Sequence, residues 1–252
     1  MATYKKRGSK PKKKESIEQQ SATAEVFSTL DEGASKTEAW VAKNQKYIFV
    51  IVGLVAIVVL GSLGYKRYVQ EPKESEAKND MYQAQKYFDE AVNGAAQDSL
   101  FNLALVGGEG KYGMLDIIEN HKGTDAANLA NYYAGMAYLN LRDYQKAVEH
   151  LDKFKSDDDI LGPLAKGGIG DAFVQLELME DALDYYDQAA TIRNNDFTTP
   201  MYLFKAGNIA MNLGQYDKAL GYFNRIKEEY PNSTDGANID VFIGKAEAAL
   251  NK

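Results

Sequence analysis

The longest apolar stretch of the chain runs from residue 47 to residue 65, nineteen consecutive residues without a charged side chain. As an α-helix, a stretch of this length rises about 28 Å, which matches the ~30 Å hydrocarbon core of a bilayer. Lipid offers the backbone no hydrogen-bond partners, so a single spanning segment has to be helical. A core helix of a globular protein would seldom lack charge over so many positions. The pattern therefore predicts one transmembrane helix, assigned to residues 47–69, with a helix start at Thr37 leading into it.

Basic residues are concentrated on the N-terminal side of this helix. Ten lysine and arginine residues precede it, whereas Lys66 and Arg67 are the only two that follow closely. Positive charge beside a membrane helix stays on the cytoplasmic side. Residues 1–46 are therefore predicted to be a basic cytoplasmic tail, and the long C-terminal part to lie outside the cytoplasm. No small-residue cleavage site follows the apolar stretch, which favours an uncleaved signal anchor over a signal peptide.

Charge and composition narrow the function classes. Residues 1–70 hold 12 basic and 6 acidic residues, whereas residues 71–252 hold 17 basic and 30 acidic residues. The acidic outer part argues against nucleic-acid binding. The basic residues of positions 1–14 suit anionic lipid or ribosomal RNA, and a tail held by lipid charge is the favoured reading. The chain contains no cysteine, so disulfides and thiolate metal sites are excluded.

The stretch after the membrane helix has the apolar period of amphipathic helices. Apolar side chains recur every three or four residues over 74–93, and two shorter helices are predicted around 99–105 and 114–119. Pro72 is expected to end or kink the helix that continues from the membrane. A glycine cluster between the shorter helices predicts a flexible joint, at Gly107, Gly108, Gly110 and Gly113. Residues 70–125 are therefore assigned to a degenerate helical pair with a linker.

Three later segments repeat one pattern of small and bulky residues. The equivalent positions are Gly135, Tyr138, Tyr144, Ala147 and Leu151; then Gly170, Phe173, Met179, Ala182 and Tyr186; then Gly207, Ala210, Tyr216, Ala219 and Phe223. The glycines and the alanines are each 35 and 37 residues apart, and Gly244 lies 37 residues beyond Gly207. A period near 34 residues with this pattern is that of the tetratricopeptide repeat. Residues 126–252 are predicted to form these repeats with a C-terminal capping helix.

The predicted fold class is therefore all-α, with a single N-terminal transmembrane helix followed by a tetratricopeptide-repeat α-solenoid. Each unit would be two antiparallel helices, stacked because a lone pair cannot bury its apolar face. The small residues would mark the closest approach within a unit, so that Gly135 faces Ala147, Gly170 faces Ala182 and Gly207 faces Ala219. The aromatic side chains of the second helices, such as Tyr186 and Phe223, would fill the gap to the next unit.

No pattern of catalytic residues is visible. His121 and His150 have no nucleophile or carboxylate at a recognisable catalytic spacing. The glycines of KGGIGDAF imitate a phosphate loop, but no strand pattern precedes them and Gly170 is explained by helix packing. The acidic run 157–159 lacks the ligand spacing of a calcium loop and is interpreted as a solvated turn. The chain is accordingly expected not to be an enzyme, and no cofactor or metal is predicted.

The order of basic tail, membrane helix, degenerate pair and repeats, from about residue 37 to residue 250, resembles the YfgM-like family of bacterial inner-membrane proteins. The resemblance implies a periplasmic repeat domain and, as partners, the SecYEG translocon and periplasmic chaperones such as PpiD. It implies an ancillary translocon subunit that binds nascent or unfolded polypeptide. A second hypothesis is a structural adaptor that scaffolds a secretion or assembly complex of the cell envelope without binding clients.

In tetratricopeptide units the first helix of each pair lines a groove, at the second, fifth, ninth and twelfth positions of the motif. These positions hold the predicted protein-binding residues, which are Leu129, Tyr132, Met136, Leu139, Leu164, Val174, Met201, Phe204, Asn208 and Met211, together with Gly167 and Asp171. Methionine and aromatic side chains would make the groove adaptable to varied partners. The alternative is that helices of the chain itself, such as the one over 74–93, cover these residues.

Overall fold

The computed structural model describes residues 22–94 and 97–251, with side chains from residue 37 onward, and the basic tail over 1–14 lies outside the described residues. Every regular element in the described part of the chain is a helix. The α-helices are α1 (Ala22–Tyr65), α2 (Glu71–Asn93), α3 (Gln97–Val106), α4 (Met114–Asn120), α5 (Asp125–Asn140), α6 (Tyr144–Lys153), α7 (Leu161–Gln175), α8 (Met179–Thr191), α9 (Thr198–Asn212), α10 (Tyr216–Glu229) and α11 (Ile239–Leu250).

Helix α1 contains the long apolar stretch. One helical run among the described residues, Thr37–Asn93, is long and apolar enough to cross a membrane, with a mean hydropathy of 2.6 in its most apolar window and 0% of that window buried. The side chains of this stretch other than Ile48 are exposed, as a bilayer-facing helix requires. The helix begins at Ala22, which is earlier than the start predicted at Thr37.

Pro72 was expected either to end or to kink the helix, and it does not end it. A π-helical turn, Lys66–Gln70, follows α1 in the chain, and Pro72 lies at the start of α2. The N–H of Glu71 donates to the carbonyl oxygen of Lys66, which is the wide pairing of a π turn. Proline is tolerated there because the first turn of a helix leaves its N–H groups without intrahelical partners. The wider turn thus absorbs the proline without ending the helix.

The contacts of Tyr65–Lys252 make one compact unit in which each helix packs on its neighbours in the sequence. The first helices of the repeats, called the A helices, are α5, α7, α9 and α11, and the second helices, called the B helices, are α6, α8 and α10. Helix α2 packs on α3 and α5, with the Phe88 ring 5.4 Å from the Phe101 ring and 5.0 Å from the Tyr133 ring. The Glu74 carboxylate accepts hydrogen bonds from the N–H groups of Asp125 (2.7 Å) and Ala126 (3.1 Å), so α2 also caps α5.

The glycines of the A helices do make room for the B helices, and the side chain nearest to each glycine is not the alanine named in the prediction. A Cβ atom at Gly135 would lie 2.5 Å from Cγ of Leu151, and one at Gly170 would lie 2.7 Å from the Tyr186 ring. At Gly207 a Cβ would overlap the ring of Phe223. The side chain that reaches each glycine is therefore the large one that follows the repeat alanine by one turn. Ala147, Ala182 and Ala219 are fully buried, but they are not the nearest neighbours of the glycines.

Two loops, the glycine cluster over 107–113 and the acidic run over 157–159, form more backbone hydrogen bonds than the sequence indicated. The cluster expected to be a flexible joint is a tight turn, with positive φ at Gly107 and Gly110 and a hydrogen bond from the N–H of Lys111 to the carbonyl oxygen of Gly108. The acidic run 157–159 caps and connects helices: Asp158 Oδ1 accepts from the N–H groups of Ile160 and Leu161, both at 2.8 Å.

Candidate protein-binding surface

The residues predicted to bind protein lie on the A helices but have three different environments. At the fifth motif position of each unit, the residue packs against a neighbouring part of the stack. The Tyr132 ring lies 5.3 Å from the Phe154 ring, and the Phe204 ring lies 4.7 Å from the Phe242 ring of α11. Gly167, the equivalent residue of α7, has the Tyr202 ring directly over its Cα. This position joins one repeat to the next.

The remaining apolar positions are half-buried against the core. They are Leu129, Met136 and Leu139 of α5, Leu164 and Val174 of α7, and Met201 and Met211 of α9. Leu139 and Met136 lie beside Gly168 of α7, so these side chains also contribute to the contact between adjacent A helices. Helix α2 packs on α5 through Phe88 and Tyr133, and among the described residues α7 and α9 are not helices on which it packs closely. The alternative that α2 covers the predicted residues therefore applies at most to α5.

The ninth motif position is the one of the four that carries polar side chains. Met136, Asp171 and Asn208 occupy it, and each is half-exposed. Asp171 Oδ1 accepts one hydrogen bond from the Tyr186 hydroxyl at 2.5 Å and another from Lys205 Nζ at 2.6 Å. The side chains of Asp171 and Lys205 retain 36% and 35% of their exposure, so both remain within reach of a partner. We call Met136, Asp171, Lys205 and Asn208 the A-helix surface.

Lys205 was not among the predicted residues, although the sequence contains a signal for it. It lies 34 residues after Asp171, which is about one repeat length, so the two side chains meet between adjacent A helices. Its ammonium also lies 5.4 Å from the centre of the Tyr186 ring and 5.6 Å from that of Tyr202. A cation held by one carboxylate and two aromatic faces has a fixed position.

Exposed amides flank this surface at the ends of α5, α7 and α9. Asn140, Gln175 and Asn212 occupy the same repeat position and are exposed. The Asn140 side chain donates to the carbonyl oxygen of Met136 at 2.8 Å, and Gln175 Oε1 accepts from the Tyr144 hydroxyl at 3.3 Å. The surface can therefore offer hydrogen bonds, one ion pair and methionine side chains.

A cleft of about 480 Å³ lies between α2 and α5. It is lined by Tyr82, Gln85, Lys86, Asp89, Glu90, Asn93 and Tyr133.

Burial raises the pKa of the tyrosines that support this surface. The pKa of Tyr132 rises to about 12, chiefly because its hydroxyl is desolvated. The pKa values of Tyr186 and Tyr202 are raised further by burial and by the nearby Asp171 carboxylate. These hydroxyls therefore stay protonated at physiological pH. A neutral Tyr186 hydroxyl can donate to Asp171, as the hydrogen bond requires.

The two histidines have structural partners. His121 Nε2 lies 2.9 Å from Asp80 Oδ2, and His150 Nδ1 lies 3.1 Å from Asn131 Oδ1. The His150 ring stacks on Tyr138 at 5.5 Å, and burial lowers its pKa. In the part of the chain that the structure describes, no group of three histidine, aspartate or glutamate residues is arranged to hold a metal ion.

Comparison with known proteins identifies the repeats. Residues 134–197 and residues 202–233 each match a tetratricopeptide-repeat family model. The fold is similar to the crystal structure of a protein described as a kinesin light chain with nearly identical TPR-like repeats, from Podosopora anserina. The TM-score is 0.50 at 12% identity, and the alignment covers 71% of this chain and 88% of that chain. No curated protein matches the sequence.

Residues 134–197 and 202–233 are thus tetratricopeptide repeats, and the predicted all-α fold class is confirmed. Tetratricopeptide repeats stack helical pairs into an extended surface that serves protein–protein interaction. Membership of the YfgM-like family in particular stays a prediction, as do the domain boundaries at residues 46, 69 and 125 and the binding role of the ten residues.

Proposed function

We propose that this chain is a single-pass protein of the bacterial inner membrane whose repeat domain lies outside the cytoplasm and holds a polypeptide segment on its A-helix surface. The tetratricopeptide repeats make protein binding the general function. The apolar helix α1 supports membrane attachment, and the basic residues before it support the orientation. By its resemblance to the YfgM-like family, the chain would act beside the SecYEG translocon and a periplasmic chaperone on emerging polypeptides.

The observation that carries the proposal is the row of half-exposed side chains at one repeat position. Met136, Asp171 and Asn208 lie on three consecutive A helices, so a segment bound along the row would meet all three repeats. The row combines a flexible apolar side chain, an amide and a carboxylate. An extended peptide needs these groups, because it presents apolar side chains and unpaired backbone N–H and C=O groups together. Methionine adapts to different side-chain shapes, which suits clients of varied sequence.

A second candidate function is the structural adaptor, because Asp171 of this row forms an ion pair with Lys205. Lys205 and Asp171 are held together with Tyr186 in a fixed arrangement. A fixed pair of charges selects for a complementary pattern on a partner, and it does not favour unrelated sequences. A chaperone-like surface would bind many polypeptides through Met136 and Asn208. An adaptor would bind one protein, and that binding would depend on Asp171 and Lys205.

Site-specific photocrosslinking in cells separates the two functions. A photoreactive amino acid is placed at Met136 or Asn208 of the full-length protein, with an exposed position on a B helix, Gln188 of α8, as the matched control. Client binding predicts crosslinks to many newly exported polypeptides from positions 136 and 208, and none from 188. An adaptor predicts one crosslinked protein. The same products from all three positions would contradict a role for the A-helix surface.

A charge swap tests the second candidate directly. In the double variant Asp171→Lys with Lys205→Asp, the two groups can still pair, but the pattern offered to a partner is reversed. An adaptor is expected to lose its single crosslinked partner by tenfold or more, whereas a client-binding surface is expected to keep its spectrum of products. Circular dichroism of the purified full-length variant checks that helical content is retained.

A further inference from the structure

The cleft between α2 and α5 presents aromatic rings beside acidic side chains. Its volume is about 480 Å³, and its lining includes Tyr82, Asp89 and Glu90 of α2 and Tyr133 of α5. Tyr82 is 67% exposed, Asp89 and Glu90 are exposed, and Tyr133 is half-buried. Tyr82 and Asp89 are seven residues apart, so they lie on one side of α2, two helical turns from each other. We call this site the α2–α5 cleft, and a ligand in it would meet ring faces and carboxylates together.

The charged side chains that line this cleft leave it with an excess of negative charge. Lys86 is the one basic residue of the lining, and its ammonium lies 3.8 Å from the Glu90 carboxylate. Asp89 has no ion-pair partner among the described residues. Burial, and after it the Asp89 carboxylate, raise the pKa of the Tyr133 hydroxyl, so this negative charge lies close to the Tyr133 side chain. The cleft therefore complements a ligand that carries positive charge.

The chain itself shows which group such a combination of side chains holds. Between α7 and α9, the Lys205 ammonium lies 2.6 Å from Asp171 Oδ1. The same ammonium lies 5.4 Å from the centre of the Tyr186 ring and 5.6 Å from that of the Tyr202 ring. Two tyrosine rings and a carboxylate thus hold a cation at this place, because ring faces and a carboxylate both attract positive charge.

Tyr133 occupies in α5 the repeat position that Lys205 occupies in α9. Each lies two residues before the repeat glycine and faces the helix packed before its own: Lys205 meets Asp171 of α7, and the Tyr133 ring lies 5.0 Å from the Phe88 ring of α2. Lysines also lie over aromatic rings elsewhere in the domain, in the pairs Lys146 with Tyr138, Lys166 with Tyr185 and Lys245 with Phe242. In the described part of the chain, no cation lies over the ring of Tyr82 or Tyr133. The cation for this cleft would therefore come from a partner.

We propose that the α2–α5 cleft binds a lysine or arginine side chain of the polypeptide that the repeat domain holds, with the cation against the Tyr82 and Tyr133 rings and paired with Asp89. This preference for a basic residue rests on the proposed function, since it concerns the same bound polypeptide. Tyr133 lies three residues before Met136 on α5, so the cleft adjoins the A-helix surface at a distance of about 5 Å, one helical turn. The excess of acidic residues over 71–252, 30 against 17 basic residues, favours the same partners.

Two labelled peptides test the preference for a basic side chain. Both consist of glycine, serine and methionine, carry an uncharged fluorophore, and differ at one central position, which is arginine in one and citrulline in the other. Citrulline has nearly the shape of arginine but no charge. Binding to the full-length protein in uncharged detergent is measured by fluorescence anisotropy, and the arginine peptide is expected to bind more tightly by about fivefold or more. Equal affinities would overturn this preference alone, whereas no binding of either peptide would overturn the proposed function with it.

Variants of exposed residues test whether the cation binds in the cleft. Asp89→Asn and Tyr82→Leu should each reduce the preference for the arginine peptide to about twofold or less, whereas Tyr82→Phe, which keeps the ring face, should retain it. Asp181→Asn on α8 is the matched control because it removes the same charge at another exposed position. Circular dichroism of each variant checks that helical content is retained. An equal loss in Asp181→Asn would mean attraction by overall charge, and a preference unchanged in Asp89→Asn and Tyr82→Leu would mean that the cation binds elsewhere; either result would overturn the proposal.

Discussion

The glycines of the A helices differ in what surrounds them, and this decides how each would respond to a side chain. Gly167 faces Tyr202, Gly168 faces Leu151 and Met136, and Gly170 faces Tyr186, so neighbouring helices on several sides approach α7 through one GGxG segment. Glycine in a helix interior costs about 1 kcal/mol relative to alanine. Three such residues in one helix persist because close packing on three sides offsets that cost.

Gly167→Ala is therefore expected to destabilise the repeat domain. The new methyl group would overlap the ring of Tyr202, which is 3% exposed and has no free space to move into. Overpacking of this kind costs about 1–3 kcal/mol, or several degrees in Tm for a domain of this size. Thermal unfolding of the full-length protein in detergent, followed by circular dichroism, measures the effect.

The matched control is Gly221→Ala on α10, where the methyl group would have open space. This variant should gain up to about 1 kcal/mol from helix propensity. The packing argument would be wrong if Gly167→Ala were as stable as Gly221→Ala.

The buried tyrosines predict how stability depends on pH. The pKa values of Tyr132, Tyr186, Tyr202 and Tyr222 are raised in the folded state, mainly by burial. Above pH 10 the unfolded chain loses these protons first, so the folded state binds more protons and the free energy of unfolding falls as pH rises. The slope is at most about 1.4 kcal/mol per pH unit for each tyrosine.

Urea unfolding at several pH values between 8 and 11.5 measures this slope. Tyr186→Phe should make the dependence shallower, whereas Tyr82→Phe, at a side chain that is 67% exposed, should leave it unchanged. A stability that stays constant to pH 11.5 would contradict the raised pKa values.

At the scale of elements, the A helices end in the same way in all three repeats. The N–H groups of Asp143, Leu178 and Gln215 donate to the carbonyl oxygens of Tyr138, Phe173 and Ala210 at 2.8–2.9 Å, five residues back. Each turn includes one residue with positive φ, which is Arg142 at 64°, Glu177 at 61° and Gly214 at 71°. The left-handed conformation strains a residue with a Cβ, and only the third repeat uses glycine there.

Glu177→Gly is expected to raise stability by about 1 kcal/mol, because the strain of the left-handed residue is removed while the hydrogen bonds of the turn are kept. The reciprocal change, Gly214→Glu, should lower stability by a similar amount. The midpoint of urea unfolding of the full-length protein in detergent reports both effects. If both variants moved the midpoint in the same direction, backbone conformation would not be the cause.

The sequence predicted the elements well wherever a period was regular. The helices over 74–93, 99–105 and 114–119 correspond to α2, α3 and α4 within a few residues, because their apolar positions recur at helical spacing. The glycine turn over 107–113 and the continuation of the helix through Pro72 were not predicted. Both depend on backbone contacts and a π turn, and neither leaves a periodic signal in the sequence.

At the scale of the whole molecule, periodicity predicts which residues are equivalent but not which neighbour each one meets. The 35- and 37-residue spacing located the repeats, whereas which side chain lies nearest to Gly135, Leu151 in the structure, depends on how far one helix is shifted along the other. For the same reason, Tyr132 and Phe204 were predicted to line a groove, and the structure has them packed against neighbouring rings. The ion pair of Asp171 and Lys205 required knowledge of two adjacent A helices at once.

The orientation of the protein in the membrane is the last prediction. The basic residues before the apolar stretch should hold the N-terminal tail in the cytoplasm, because their transfer across the membrane is opposed by the anionic inner leaflet and the membrane potential. Two single-cysteine variants test this in an otherwise cysteine-free chain: Ser9→Cys in the tail and Asn232→Cys in the exposed loop after α10. A membrane-impermeant maleimide added to intact spheroplasts should label position 232, and position 9 only after lysis. The reverse pattern would place the repeats in the cytoplasm, and protection of both positions until lysis would mean that α1 does not cross the membrane.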